Sequence, residues 1–110
     1  MLYNRTRGVV ITKRVRFARG IWRGIGLMLR RSFDGALIFE NVGKSAFHGF
    51  FCFFPILLVC IKGNTVVGIR VLRPWRVVHV DCDHVVELDA RKNWPVSVGD
   101  EVIWDEDRGR

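Results

Sequence analysis

The chain has 110 residues, room for one domain and not two. With 49 % apolar and 12 % aromatic residues it can fill a core, which excludes wholesale disorder. Lys and Arg number 18 against 11 Asp and Glu, a net charge of +7, and three cysteines are too few for a disulfide scaffold.

Residues 1–7 lack the apolar run of a secretion signal and are expected to fray. Val9, Ile11 and Val15 predict a first strand over 8–15 with those three on one face. Phe17, Ala18, Ile21, Trp22 and Ile25 then recur at helical spacing, with Arg16, Arg19 and Arg23 opposite, which predicts one short helix. Gly24 or Gly26 would end it, because a left-handed C-cap favours glycine. Residues 35–39 read as a short apolar strand and the polar stretch 40–45 as a turn.

Residues 46–54 and 56–61 read as two buried strands meeting at Pro55, on their aromatic and β-branched content. A membrane or interfacial segment is the competing reading. The apolar run 50–61 has 12 residues, however, whereas a spanning helix needs about 17–25. Lys62-Gly63-Asn64 is a hairpin turn, since Gly and Asn tolerate positive φ. Residues 65–72 return as a strand with Val67, Ile69 and Val71 on one face, closed by Pro74. Short strands follow at 75–80 and 84–88, with a polar turn between them, and a last strand ends at Trp104. The charged tail 105–110 is expected to fray. About seven short strands and one short N-terminal helix predict a mainly β single domain, a small barrel or sandwich, with its core over 9–104.

Gly26-Leu27-Met28-Leu29-Arg30 followed by Gly35-Ala36-Leu37-Ile38-Phe39 resembles the Gly-Leu-Met-x-Arg … Gly-Met-Leu-Phe signature of the domain of unknown function 192 family. Val86-Glu87-Leu88 and Val98-Gly99-Asp100-Glu101-Val102 are similar to its Val-Leu-Glu-Leu and Val-Gly-Asp-x-Val, in the same order along residues 9–104. The resemblance implies a compact β-rich domain of bacteria and archaea with no established activity. The family's Trp-Met-Lys-Asn-Thr and Pro-Leu-Asp segments correspond to His48-Gly49-Phe50-Phe51-Cys52 and Pro55-Ile56-Leu57. Its Lys, Asn, Thr and Asp are therefore Phe50, Phe51, Cys52 and Leu57 here, which takes away most of any polar site at that place.

Little else in the sequence carries chemistry. His79-Val80-Asp81-Cys82-Asp83-His84 is rich in metal-binding types, but strand neighbours at i and i+2 stand about 6.5 Å apart, so a flat strand converges at most two ligands on one ion. Cys52 and Cys60 fall in the apolar run, where burial keeps a thiol inert, which leaves Cys82 as the accessible one. Asp100 is placed to accept backbone N–H bonds in its own turn. Neither metal nor cofactor is expected, and no arrangement argues for catalysis.

Charge is segregated. Residues 1–33 contain Arg5, Arg7, Lys13, Arg14, Arg16, Arg19, Arg23, Arg30 and Arg31 and no acid, while the acids gather in the last third. Three readings of the basic third stand open. It is a surface for nucleic acid or an acidic protein, through Arg14, Arg16, Arg19, Arg23, Arg30 and Arg31. It is an amphipathic membrane-surface helix. Or it is the solvated face of a core helix, with Arg14 or Arg30 paired to the acidic third. A separate expectation is a small-ligand pocket at the open end of a barrel, rimmed by His48, Trp75 or His79. The expected location is the cytoplasm, with reduced thiols and no transmembrane segment; oligomeric state is not legible.

Overall fold

The computed structural model describes residues 1–20, 28 and 31–105. They form eight strands in two sheets and no helix: β1 (Leu2–Asn4), β2 (Val9–Thr12), β3 (Val15–Phe17), β4 (Ala36–His48), β5 (Ile56–Lys62), β6 (Thr65–Leu72), β7 (Val77–Asp89) and β8 (Val102–Trp104). One sheet has the order β2-β1-β8 and the other β3-β4-β7-β5-β6, so the mainly β expectation holds as two sheets rather than a closed barrel. Arg16 and Phe17 of the expected helix belong to strand β3, Ala18 and Arg19 follow it without helix, and the remainder, Ile21 to Ile25, lies outside the described residues.

Residues 2–4 do not fray. They form the middle strand of the small sheet, antiparallel to both β2 and β8, because Leu2 can be buried there at 2 % exposure. Val9 lies exposed, while Ile11 and Val15 enter the core as expected. Val15 does so from β3, which runs parallel to β4 with Val15 opposite Ala36. Leu2, Ile11, Val15, Ile38, Val59, Ile61, Val86, Leu88 and Val102 make up the apolar layer between the two sheets.

The expected turn at 40–45 is a β-bulge inside a 13-residue strand. Asn41 (φ 57°) and Gly43 (φ 59°) take left-handed backbone there, which those two residue types tolerate best. The ladder to β7 breaks after Glu40↔His84 and resumes at Gly43↔Cys82, so β4 and β7 bend together. For the same reason 77–80 and 84–88 merge into one strand, with Trp75 and Arg76 in the turn before it, and the metal-like stretch 79–84 is strand, not turn.

The bend determines where the ends of the sheet meet. Ile56 of β5 pairs with both Leu72 of β6 and Asp89 of β7. Beyond His48↔Val77 the bent arm returns to that same end, since Gly49 hydrogen-bonds residues 75 and 76, just past Leu72. Phe47, Val78, Val80 and Cys82 of the arm therefore share a second apolar cluster with Phe54, Leu58, Cys60 and Leu72.

The hairpin at Gly63 (φ 60°) closes β5 onto β6 as expected, its amide donating to Asp83 Oδ2 at 2.7 Å. The register irregularity between Cys60 and Ile61 puts Val66, not Val67, in the same apolar layer as Ile69, while Leu72 joins the other cluster and Val67 and Val71 lie exposed, so the expected common face of Val67, Ile69 and Val71 is broken. The second of the two expected buried strands is β5; the first stops at His48, and the chain turns at Gly49.

Candidate functional site

Two β-turns packed back to back carry a group of exposed aromatic residues. In Gly49-Phe50-Phe51-Cys52 the Cys52 amide donates to Gly49 O at 3.1 Å, and in Arg73-Pro74-Trp75-Arg76 the Arg76 amide donates to Arg73 O at 3.2 Å. The third residue of each turn, Phe51 (φ 61°) and Trp75 (φ 65°), has positive φ, as a type II turn requires. Glycine or asparagine ordinarily fills that place; a large aromatic held there costs about 1–3 kcal/mol. Pro74 presets φ at the second position of its turn.

The turns are locked to each other. Trp75 N–H donates to Gly49 O and Gly49 N–H to Arg76 O, both at 2.8 Å. A Cβ on Gly49 would stand 2.4 Å from the Arg73 carbonyl oxygen, so only glycine lets the two backbones come this close. On this base four rings run in contact. His48 stacks on Phe50 (centroids 5.0 Å, interplanar angle 28°), Phe50 lies 6.1 Å from Trp75, and Phe51 meets Trp75 edge to face at 4.9 Å. His48 Nδ1 also accepts the Phe50 amide at 3.3 Å. Phe50, Phe51, Phe53 and Trp75 are exposed, the last at 60 %.

The expectation that this phenylalanine run is core thus fails for Phe50, Phe51 and Phe53. The turn at Gly49 ends the alternation, and only Cys52 and Phe54 point inward from the returning segment. Arg73 and Arg76 flank the rings, exposed and without an ion pair among the described residues. No acid occurs anywhere between Asn41 and Val80.

The predicted site residues separate into groups. Arg14 and Arg16 flank the buried Val15 on the sheet-edge strand β3 and are exposed. Arg19 follows, its guanidinium 4.7 Å from the Phe17 ring centre. Arg31 is exposed, and its carbonyl accepts a hydrogen bond from Arg91 at 3.2 Å. Arg23 and Arg30 lie outside the described residues. His48 and Trp75 come together through Phe50, as members of the exposed ring run and not as the rim of a barrel mouth, since the sheet does not close. His79 is apart from them, paired with Ala46 on the ladder and lining an open groove of about 460 Å³ with Lys44, Ser45 and Asp81.

The expected pairing of Arg14 with the acidic third is absent from the described residues. Those acids are met by other groups: Glu101 by Arg5 (3.8 Å), Asp100 by Arg7 (3.3 Å) and Asp105 by the amino terminus (3.0 Å). Asp100 also accepts the Ser97 amide at 2.9 Å, the bond expected within its turn, and Asn4 Nδ2 at 2.8 Å. The Asn4 hydrogen bond, ahead of the other contributions, holds the Asp100 carboxyl below its ordinary range.

Sequence reasoning missed one buried acid. Glu87 stands on the central strand β7 between Leu37 and Leu58, 4 % exposed, and its Oε1 has no hydrogen-bond partner. Burial pushes its pKa up to about 8. The Cys52 thiol is raised as well, by burial first and then by the charge of Glu87. Burial, with the nearby Cys82 next, raises Cys60 to about 12; Cys82, expected to be accessible, is 2 % exposed. Two residues along β7, Asp89 escapes this fate because Arg91 grips both its oxygens, at 3.0 and 2.8 Å, and holds its pKa low. The same guanidinium sits 4.7 Å from the Phe54 ring centre. Among the described residues no three His, Cys, Asp or Glu side chains gather to hold a metal ion, and no helix is long and apolar enough to cross a membrane.

No family model and no curated protein matches the chain. Two solved structures are similar in fold. A protein of unknown function from Novosphingobium aromaticivorans superposes with a TM-score of 0.68 at 19 % identity, over 82 % of this chain and 74 % of that one. A proposed transcription regulator from Sinorhizobium meliloti superposes with a TM-score of 0.67 at 23 % identity, over 81 % and 79 %. At these identities the likeness establishes the fold alone.

Proposed function

We propose that this chain is a non-catalytic binding module whose basic surface takes up a polyanion, with nucleic acid as the class that fits best. One observation supports the reading above the rest: Arg14, Arg16 and Arg31 have no ion pair among the described residues, although the chain holds nine acids in its last third. Cations left without a carboxylate keep their full field for phosphate, and each phosphate they neutralise releases a condensed counterion. The edge position of β3 adds to this, because among the described residues no further strand covers Arg14 and Arg16. The resemblance to the domain of unknown function 192 family, noted in the sequence, brings no activity with it and leaves the reading unchanged.

Gel-shift titration of the protein against nucleic acid at ~50 and ~200 mM salt tests the reading. Affinity should fall roughly 10- to 100-fold between the two, as expected for a handful of phosphate contacts. The doubly charge-reversed variant Arg14→Glu/Arg16→Glu should bind more weakly and show a shallower salt slope. Absent or salt-insensitive binding would refute it.

A further inference from the structure

We infer that the ring run His48, Phe50, Phe51 and Trp75 is a base-stacking platform, which gives the module a preference for single-stranded over double-stranded nucleic acid. This rests on the polyanion reading and names the form of polyanion.

The argument starts from backbone strain. Two non-glycine residues in left-handed conformation, one in each of two interlocked turns, are both large aromatics, and their rings touch at 4.9 Å. Asparagine or glycine would relieve each position, so the chain holds aromatic side chains where its own stability does not call for them. Nor does burial reward them, since Phe51 is 49 % and Trp75 60 % exposed. Rings displayed in fixed mutual geometry at an energetic cost suit a ligand that is planar and rewards that geometry.

Bases of a single strand are such ligands. Every base offers a π-face, and unpaired bases can be splayed onto aromatic side chains, which a duplex does not permit at its flank. Charge fits the same occupant. Arg73 and Arg76 bracket Pro74-Trp75 without an ion pair among the described residues, in a stretch free of acid from Asn41 to Val80. Further cations stand at the same end of the sheet. Phe54, a few residues along from the first turn, lies under the Arg91 guanidinium, which in turn donates to Arg31 O. The acids there are occupied: Arg91 binds Asp89, Lys92 lies 3.4 Å from Asp34, and Glu87 is inside. A lipid surface would also meet aromatic rings and arginines, but a fluid bilayer accepts apolar side chains in any arrangement and does not reward a strained, locked one.

The variant Phe51→Asn/Trp75→Asn removes two rings while supplying the residue type the turns favour, so it should fold with an undiminished melting temperature. Fluorescence anisotropy would compare it with the parent on labelled ~15-nucleotide oligo-dT, a duplex of equal length and inorganic polyphosphate, with sedimentation on phosphatidylglycerol vesicles as a further arm. The parent should favour oligo-dT over duplex about 10-fold or more. The variant should lose that preference, with oligo-dT affinity down ~10- to 100-fold and polyphosphate affinity unchanged, and Phe51→Tyr/Trp75→Phe should retain it. Equal affinity for single strand and duplex, or an oligo-dT affinity the variant leaves intact, overturns the stacking platform while polyphosphate binding upholds the arginine surface. Loss of vesicle binding alone overturns it in favour of a membrane contact. No binding to any polyanion overturns both readings.

Discussion

Around β1 and β8 each described carboxylate has a cation or an amide against it, whereas around the turns at Gly49 and Pro74 the cations have no ion pair among the described residues. At the first region Asp100 gathers Asn4, Arg7 and the Ser97 amide, and Asn4 itself is fully buried, with its other bonds to Pro95 O and the Arg7 amide. Polarity there ties distant parts of the chain together, the bond from Asn4 to Asp100 spanning 96 positions. At the second region the backbone supplies the ties, and the side chains face solvent. The difference teaches that exposed charge in this protein is not spread at random: Asp100, Glu101 and Asp105 are matched by the first seven residues, and Arg73 and Arg76 have no ion pair among the described residues.

The largest effect should come from a third place that belongs to neither region, the unpartnered Glu87. A carboxyl whose folded pKa of about 8 lies above its ordinary 4.5 favours the folded state only while protonated. Its contribution is therefore intact below about pH 4.5, is lost as pH rises toward 8, and stays lost above. At about 1.4 kcal/mol per unit of pKa, the loss is on the order of 5 kcal/mol. Glu87→Gln should match the parent's melting temperature near pH 4 and exceed it increasingly up to pH 8. A difference that does not change with pH would mean that Glu87 finds a partner for its charge.

Asn4→Ala strikes the matched region. It should cost about 1–3 kcal/mol in denaturant unfolding, since it removes one of the donors to the Asp100 carboxylate and takes the Asn4 partner from the Pro95 carbonyl and the Arg7 amide. It should also reduce the loss of stability on acidification, because Asp100, held below its usual 3.8, stabilises above that pH and ceases to as pH falls through its lowered value. A variant as stable as the parent would show that the arginine contacts alone carry the region.

Gly49→Ala strikes the aromatic region. With its Cβ driven to 2.4 Å from a backbone oxygen, the two turns must separate, at a cost of about 1–3 kcal/mol. Its effect on oligo-dT affinity should exceed its effect on stability, since it parts the ring-bearing turns. An unchanged affinity would divorce the locked turns from binding.

The sequence showed some of this plainly. Aromatic and β-branched content placed β5, Gly63 beside Asn64 placed the hairpin, and the charge count exposed the excess of arginine before any geometry was known. Where it misled, identifiable residues explain why. Glu40 to Ser45 looked like a turn because Asn41 and Gly43 are turn residues, yet the same left-handed tolerance serves a bulge, and local sequence does not distinguish them. Phe50, Phe51 and Phe53 looked like core because composition counts apolar residues without knowing that the chain reverses at Gly49. The bracket Arg73-Pro74-Trp75-Arg76 was the available signal: a tryptophan next to a turn proline, between two arginines, is poorly placed for burial.

By itself the sequence determined the class of the fold, the presence of a core and the separation of positive from negative charge, because periodicity and composition are properties of short stretches and sums. Only the tertiary structure decided which phenylalanines face water, which arginines lack a carboxylate and that Glu87 is sealed without a partner. Those outcomes depend on a bend in two paired strands that brings residues far apart in the chain to one end of the molecule, and no local pattern encodes where such ends meet.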